Sequence, residues 1–182
     1  MFFKTSKDIA IIGLAIALLI ALQYVLSAVK GVELVTAFLL CFCFSFGVIR
    51  GVVCAIGFSL LRCFVFGFFP NVILLYLLYY PLFALVCGLI GNFFKKRNAQ
   101  DGVLAFVVMI AVAVILTAFF TLLDNVITVI VLKYNYASAK AYFVASLPVM
   151  LMQCSCALFS TLALFYPITK VFLKIDRRNK LG

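Results

Sequence analysis

Residues 68–98 read FFPNVILLYLLYYPLFALVCGLIGNFFKKRN, and this stretch decides the fold. From residue 72 to residue 94 no side chain is charged, and the run ends abruptly in Lys95, Lys96 and Arg97. A helix needs about 20 predominantly apolar residues to cross a hydrocarbon core of roughly 30 Å, and cations collect on the cytoplasmic edge of such a helix. Residues 72–94 therefore read as a membrane span whose end is inside and whose start, capped by Asn71, is outside. Five further apolar blocks flank it, separated by Lys30-Gly31, Arg50-Gly51, Pro70-Asn71, the run from Lys95 to Gly102, the polar stretch from Lys133 to Lys140, and a charged tail after Phe172. The expected spans lie near 8–29, 33–49, 51–69, 72–94, 103–132 and 142–173.

The remaining composition agrees with that reading. Of 182 residues, 68% are hydrophobic and 11% charged, with a mean hydropathy of +1.33, far beyond what a soluble domain of this size keeps in solution. The expected fold class is an all-α membrane protein, a bundle of six transmembrane helices forming one integral domain over residues 1–182. Its loops are too short to fold as a separate soluble unit. The basic start followed by the apolar stretch 9–29 superficially resembles a signal peptide. That stretch is longer than a usual signal core and leads into further apolar helices, so it reads as a retained first span.

Cation placement sets the expected orientation. With the N-terminus inside, the cytoplasmic side collects Lys4, Lys7, Arg50, Lys95, Lys96, Arg97, Lys170, Lys174, Arg177, Arg178 and Lys180, eleven in all, while three, Lys30, Lys133 and Lys140, fall outside. Both termini are then cytoplasmic. The net charge of +10 follows from this topology and points to anionic lipid headgroups as the partner, with no nucleic-acid binding implied.

Polar groups inside lipid are costly, so the few that remain are the first candidates for function. Arg62 lies in the outer part of span three, Asp124 and Asn125 in the outer part of span five, Gln153 within span six, and Glu33 at the outer mouth of span two. Tyr76, Tyr79 and Tyr80 share one face of span four, and Tyr24 and Tyr142 lie near outer helix ends. These groups suit a ligand pocket with aromatic walls; alternatively the tyrosines form an interfacial belt, and Arg62 and Asp124 form a buried ion pair joining two spans. On span one, Gly13, Ala17 and Ala21 recur every four residues and permit close helix approach, for packing within the bundle or against a partner. Seven cysteines and no histidine fit small apolar fillers; neither a metal site nor disulfides are expected.

These features resemble the substrate-binding S components of energy-coupling factor (ECF) transporters, the ABC-type vitamin importers of bacteria and archaea. The likeness covers nearly the whole chain: the six-span plan, GLAIALLIALQYVLS in the first helix, GVELVTAFLL opening the second, FFPNVILLYLLYYPLFALVCGLIG across the third and fourth, and FTLLDNVITVIV followed by YFVASLPVMLMQ in the last two. The resemblance implies that the chain captures a vitamin or related micronutrient at the outer face of a bacterial plasma membrane. It also implies docking through Gly13, Ala17 and Ala21 on a transmembrane coupling subunit driven by two cytoplasmic ATPases. The pocket it implies draws on Glu33, Arg62, Asn71, Tyr76, Tyr79, Tyr80, Asp124, Asn125, Lys133, Tyr142 and Gln153.

The chain carries no GxxxxGK[ST] phosphate loop, so ATP hydrolysis would belong to other subunits. No catalytic residues and no cofactor are expected, since an enzyme of this kind would want histidine or clustered acids and the chain has no His and five scattered acids. The competing reading is a self-sufficient small secondary transporter or channel in which Arg62 and Asp124 serve coupling or gating; a purely structural or assembly role is a further one.

Overall fold

A computed structural model of the chain describes residues 6–27, 34–100 and 102–181. Six helices account for the secondary structure of these residues: α1 (Ser6–Leu26), α2 (Leu34–Phe46), α3 (Val48–Phe66), α4 (Pro70–Lys96), α5 (Val103–Val131) and α6 (Tyr136–Leu181). Five of them are long and apolar enough to cross a membrane. The large apolar side chains on their outward faces, Leu14, Leu60, Phe64, Leu78, Ile115 and Leu151 among them, are exposed, as expected where the solvent is lipid.

The helices occupy four of the six expected segments closely, and the two departures have local causes. The second block, expected over 33–49, yields only 13 residues. At 1.5 Å per residue that is about 20 Å, short of a roughly 30 Å hydrocarbon core. It stops because Gly47 adopts φ +85° and turns the chain directly into α3, a conformation that L side chains disfavour. The sixth helix starts at residue 136, earlier than the expected 142, because the Asn135 side chain accepts the Ser138 backbone N–H at 2.8 Å and caps it. It then continues to Leu181, 46 residues or about 69 Å, so it must project well past any bilayer.

The short α2 is the axis of the bundle. It packs against all five other helices, and every residue from Leu39 to Phe46 is buried. A helix apolar on all sides belongs in an interior, and here the interior is supplied by its neighbours. Phe38, Phe42 and Phe46 stack on Phe172 of α6, and Phe44 meets Phe165 of α6 and Phe94 of α4. Close approach of α4 depends on Gly88 and Gly91. A Cβ at Gly88 would lie 2.7 Å from the Val48 Cα, and one at Gly91 would overlap the Phe44 backbone. Five of the seven cysteines, including Cys41 and Cys43, are buried, and all seven are free thiols.

One end of the bundle is closed by charge. Arg50, at the start of α3, donates to Asp8 of α1 at 2.9 Å and to Asp176 of α6 at 2.7 Å. Lys95, at the end of α4, reaches the second Asp176 oxygen at 2.8 Å. Both carboxylates are buried, with side chains 3% exposed. Four helices are thereby joined by a neutral set of two acids and two bases, beneath the last turn of α2, where the Arg50 guanidinium also sits 5.8 Å from the Phe46 ring centre. The same contacts bring the starts of α1 and α3 and the ends of α4 and α6 together, so α1 and α3 run one way and α4 and α6 the other. Lys7, Lys96, Arg97, Lys174, Arg177 and Arg178 belong to the same end by their positions on those helices, which is therefore called the basic end below.

Removing one partner of a buried ion set leaves uncompensated charge, at a cost of about 3–5 kcal/mol. Arg50→Met, which takes one cation away from both Asp8 and Asp176, should lower the thermal unfolding temperature of the detergent-purified protein by several degrees. Lys96→Met, an exposed neighbour outside the network, should leave it near that of the unaltered chain.

Candidate functional site

Among the described residues the opposite end holds no ion pair. Here α5 and α6 diverge around a cavity of about 210 Å³ lined by Phe120, Thr121, Asp124, Asn125, Tyr142, Ala145, Ser146, Val149 and Gln153. On α5 the polar residues Thr117, Thr121, Asn125 and Thr128 fall at spacings of four, four and three, which places them on one helix face. Tyr142, Ser146, Val149 and Gln153 make the matching stripe on α6. Both stripes turn inward because, in lipid, a polar side chain is stabilised only by another polar group.

The stripes meet in tiers. Deepest, the Thr121 hydroxyl donates to Gln153 Oε1 at 2.8 Å. One turn higher, Asn125 Nδ2 donates to Ser146 Oγ at 2.6 Å, and Ser146 in turn donates to the Phe143 carbonyl at 2.8 Å. Nearest the end of the bundle, Asn71 Nδ2 of α4 donates to Thr128 Oγ1, which donates to Asp124 Oδ1, both at 3.4 Å. Tyr142 lines the cavity beside it, and its ring packs edge-on against Tyr134 at 5.8 Å. The result is a hydrogen-bonded seam with Asp124 and Tyr142 towards its opened edge, Gln153 at its floor, and Phe120 and Val149 as apolar walls.

Of the residues expected to bind a ligand, the cavity collects Asp124, Asn125, Tyr142 and Gln153, with Asn71 behind them. Tyr76, Tyr79 and Tyr80 stand elsewhere. They are 7%, 2% and 3% exposed and form, with Phe58, Phe83 and Phe120, a packed aromatic core. The Tyr79 hydroxyl donates to the Leu116 carbonyl at 3.0 Å, and that of Tyr76 accepts from Gln23 Nε2 at 2.9 Å. They are therefore neither lining this cavity nor in an interfacial belt; Phe120 alone bridges their cluster to the cavity. Lys133 is exposed, in a left-handed conformation after α5. Glu33 lies outside the described residues.

Arg62 and Asp124 are not an ion pair: all ion pairs among the described residues are at the basic end. The Arg62 guanidinium instead lies over the Tyr76 ring, 4.0 Å from its centre, and 5.3 Å from that of Phe66. A cation over an aromatic face recovers part of its lost hydration, although the buried Nε finds no hydrogen-bond partner. Thr121, Ser146 and Thr128 were missed because single hydroxyl residues in apolar helices are common; their spacing along α5 and α6 is the signal that groups them.

The small-residue stripe of α1 is also placed. Gly13, Ala17 and Ala21 are all exposed, and a Cβ at Gly13 would meet nothing within 4 Å. The stripe therefore lies on the exposed face of α1 among the described residues, and α1 turns Ile12, Ala15 and Leu19 to the core instead.

Comparison with protein-family models, curated proteins and solved structures found no match to this chain.

Because Tyr80 is core and Tyr142 lines the cavity, their substitutions should separate. Tyr80→Ala opens a void in the aromatic cluster, at a cost of about 3–5 kcal/mol, visible as a large fall in thermal stability in detergent. Tyr142→Phe should change stability by less than about 1 kcal/mol. Equal losses would place Tyr142 in the core as well.

Proposed function

We propose that this chain is the substrate-binding S component of an energy-coupling factor importer, with its basic end in the cytoplasm and the α5–α6 cavity facing outward. In this reading all six helices, α2 included, follow the up-and-down plan, and the cavity captures a vitamin-like micronutrient. A transmembrane coupling subunit and two ATPases, supplied by other chains, drive its delivery.

The observation that carries the reading is the outward face of α1. Gly13, Ala17 and Ala21 are exposed along one face of a membrane helix, and small residues are what allows a second helix to approach closely in lipid. A self-contained carrier has no use for such a surface; a subunit that docks laterally does. The asymmetry of the bundle supports the same division of labour. Its basic end is closed by a buried ion network, whereas its opposite end holds an open polar cavity. The secondary-transporter alternative loses its proposed coupling pair, since Arg62 is engaged by Tyr76 and Phe66.

Screening the purified chain by thermal shift against a vitamin panel should identify a stabilising ligand. Ala17→Trp should then abolish uptake in vesicles containing coupling and ATPase subunits while leaving binding to the isolated chain within about twofold. Uptake that follows a proton or sodium gradient without the ATPases would contradict the importer reading, and loss of binding in Ala17→Trp would contradict the docking role.

A further inference from the structure

We infer that the α5–α6 cavity takes a small organic cation, a protonated amine carried on an apolar or single-ring body, with Asp124 as its counter-ion. The inference rests on reading this cavity as the substrate site.

The argument is a census of charge. Three acidic side chains are described in the structure: Asp8, Asp124 and Asp176. Asp8 and Asp176 each hold a cation of this chain within 3 Å. Asp124 has none among the described residues. Its hydrogen-bond partner among the described residues is the Thr128 hydroxyl, a neutral donor that orients a carboxylate without neutralising it. Two cations sit on the polar connection just beyond, Lys133 and Lys140, yet both are exposed and neither lines the cavity. Arg62, the nearest candidate by sequence reasoning, is committed to its aromatic contacts. A carboxylate in a membrane-spanning helix without a counter-ion is costly, and such sites mark substrate or ion pathways. An ammonium or amidinium group from outside would supply the missing charge through a charge-assisted hydrogen bond, roughly twice as strong as a neutral one.

The remaining lining favours an organic cation over a bare metal ion. Asp124 is the sole ionic group among the described residues that line it, whereas hard cations gather several oxygen ligands around one point. Phe120 and Val149 offer apolar surface, and the Phe120 ring adds cation–π attraction for a nearby positive group. The Thr121–Gln153 pair at the floor presents hydroxyl and amide groups to a polar ring atom. About 210 Å³ is room for one ring with a short arm.

Three probes of one shape test this: benzylamine, benzyl alcohol and benzoate, which carry positive, zero and negative charge at neutral pH. Titrated calorimetrically into the detergent-purified chain, with empty micelles as reference, benzylamine should bind at least about tenfold tighter than the alcohol, a difference of about 1.4 kcal/mol, and benzoate weakest. Asp124→Asn should erase the preference, whereas Thr128→Val, which removes only a neutral partner of the carboxylate, should retain it. The ranking in the unaltered chain needs no variant, so a misfolded Asp124→Asn does not block the test. Equal binding of all three, tighter benzoate, no binding of any, or an amine preference that survives Asp124→Asn overturns the assignment. A reversed ranking in a chain whose uptake still needs the ATPases removes the cation and leaves the importer; the expected ranking in a chain whose uptake ignores them does the opposite.

Discussion

Everything in this bundle is arranged around one ionic contact, the guanidinium of Arg50 held between the carboxylates of Asp8 and Asp176. In a hydrocarbon solvent a carboxylate cannot be left alone, and a guanidinium with its fixed fork of donors can serve two acids at once. Lys95 completes the set. Because the four residues come from the ends of α1, α3, α4 and α6, their mutual satisfaction determines which helix ends lie side by side. It also seals the space under the short central α2. The apolar packing above, the phenylalanine stacks and the glycine contacts of α4, works within the frame this contact defines.

The opposite end is built on a weaker principle. The α5–α6 seam is held by neutral hydrogen bonds, which in membranes contribute on the order of 1 kcal/mol each, and it leaves a cavity instead of a sealed layer. A stiff, charge-locked end and a softer, hydrogen-bonded end are what a subunit needs if it must keep its shape while admitting a ligand at one face. The aromatic cluster of Tyr76, Tyr79, Tyr80 and Phe120 separates the two regimes: it is packed like a core, yet Phe120 also forms the cavity wall.

Much of this was legible in the residues themselves. Uncharged runs of about 20 residues marked the long helices, and the alternation of cations anticipated which ends lie together. Asp124, Asn125, Tyr142 and Gln153 stood out because polarity is rare in such helices. The tyrosines are ambiguous in sequence for a physical reason: an amphipathic ring at helical spacing looks the same whether its hydroxyl meets a ligand or, as for Tyr79, a backbone carbonyl. The Arg50 network was overlooked because its members sit at helix ends, where a charge ordinarily belongs to solvent or headgroups.

Sequence alone therefore determined the solvent of this protein and the position of its long helices, since both depend on local hydropathy and on where charges interrupt it. Whether a given charge is paired, and whether a face turns inward, depends on neighbours distant along the chain. Only the tertiary structure could decide that α2 is a short buried axis, that Arg62 rests on an aromatic ring, that Gly13, Ala17 and Ala21 face away from their own bundle, and that Asp124 has no cation partner among the described residues.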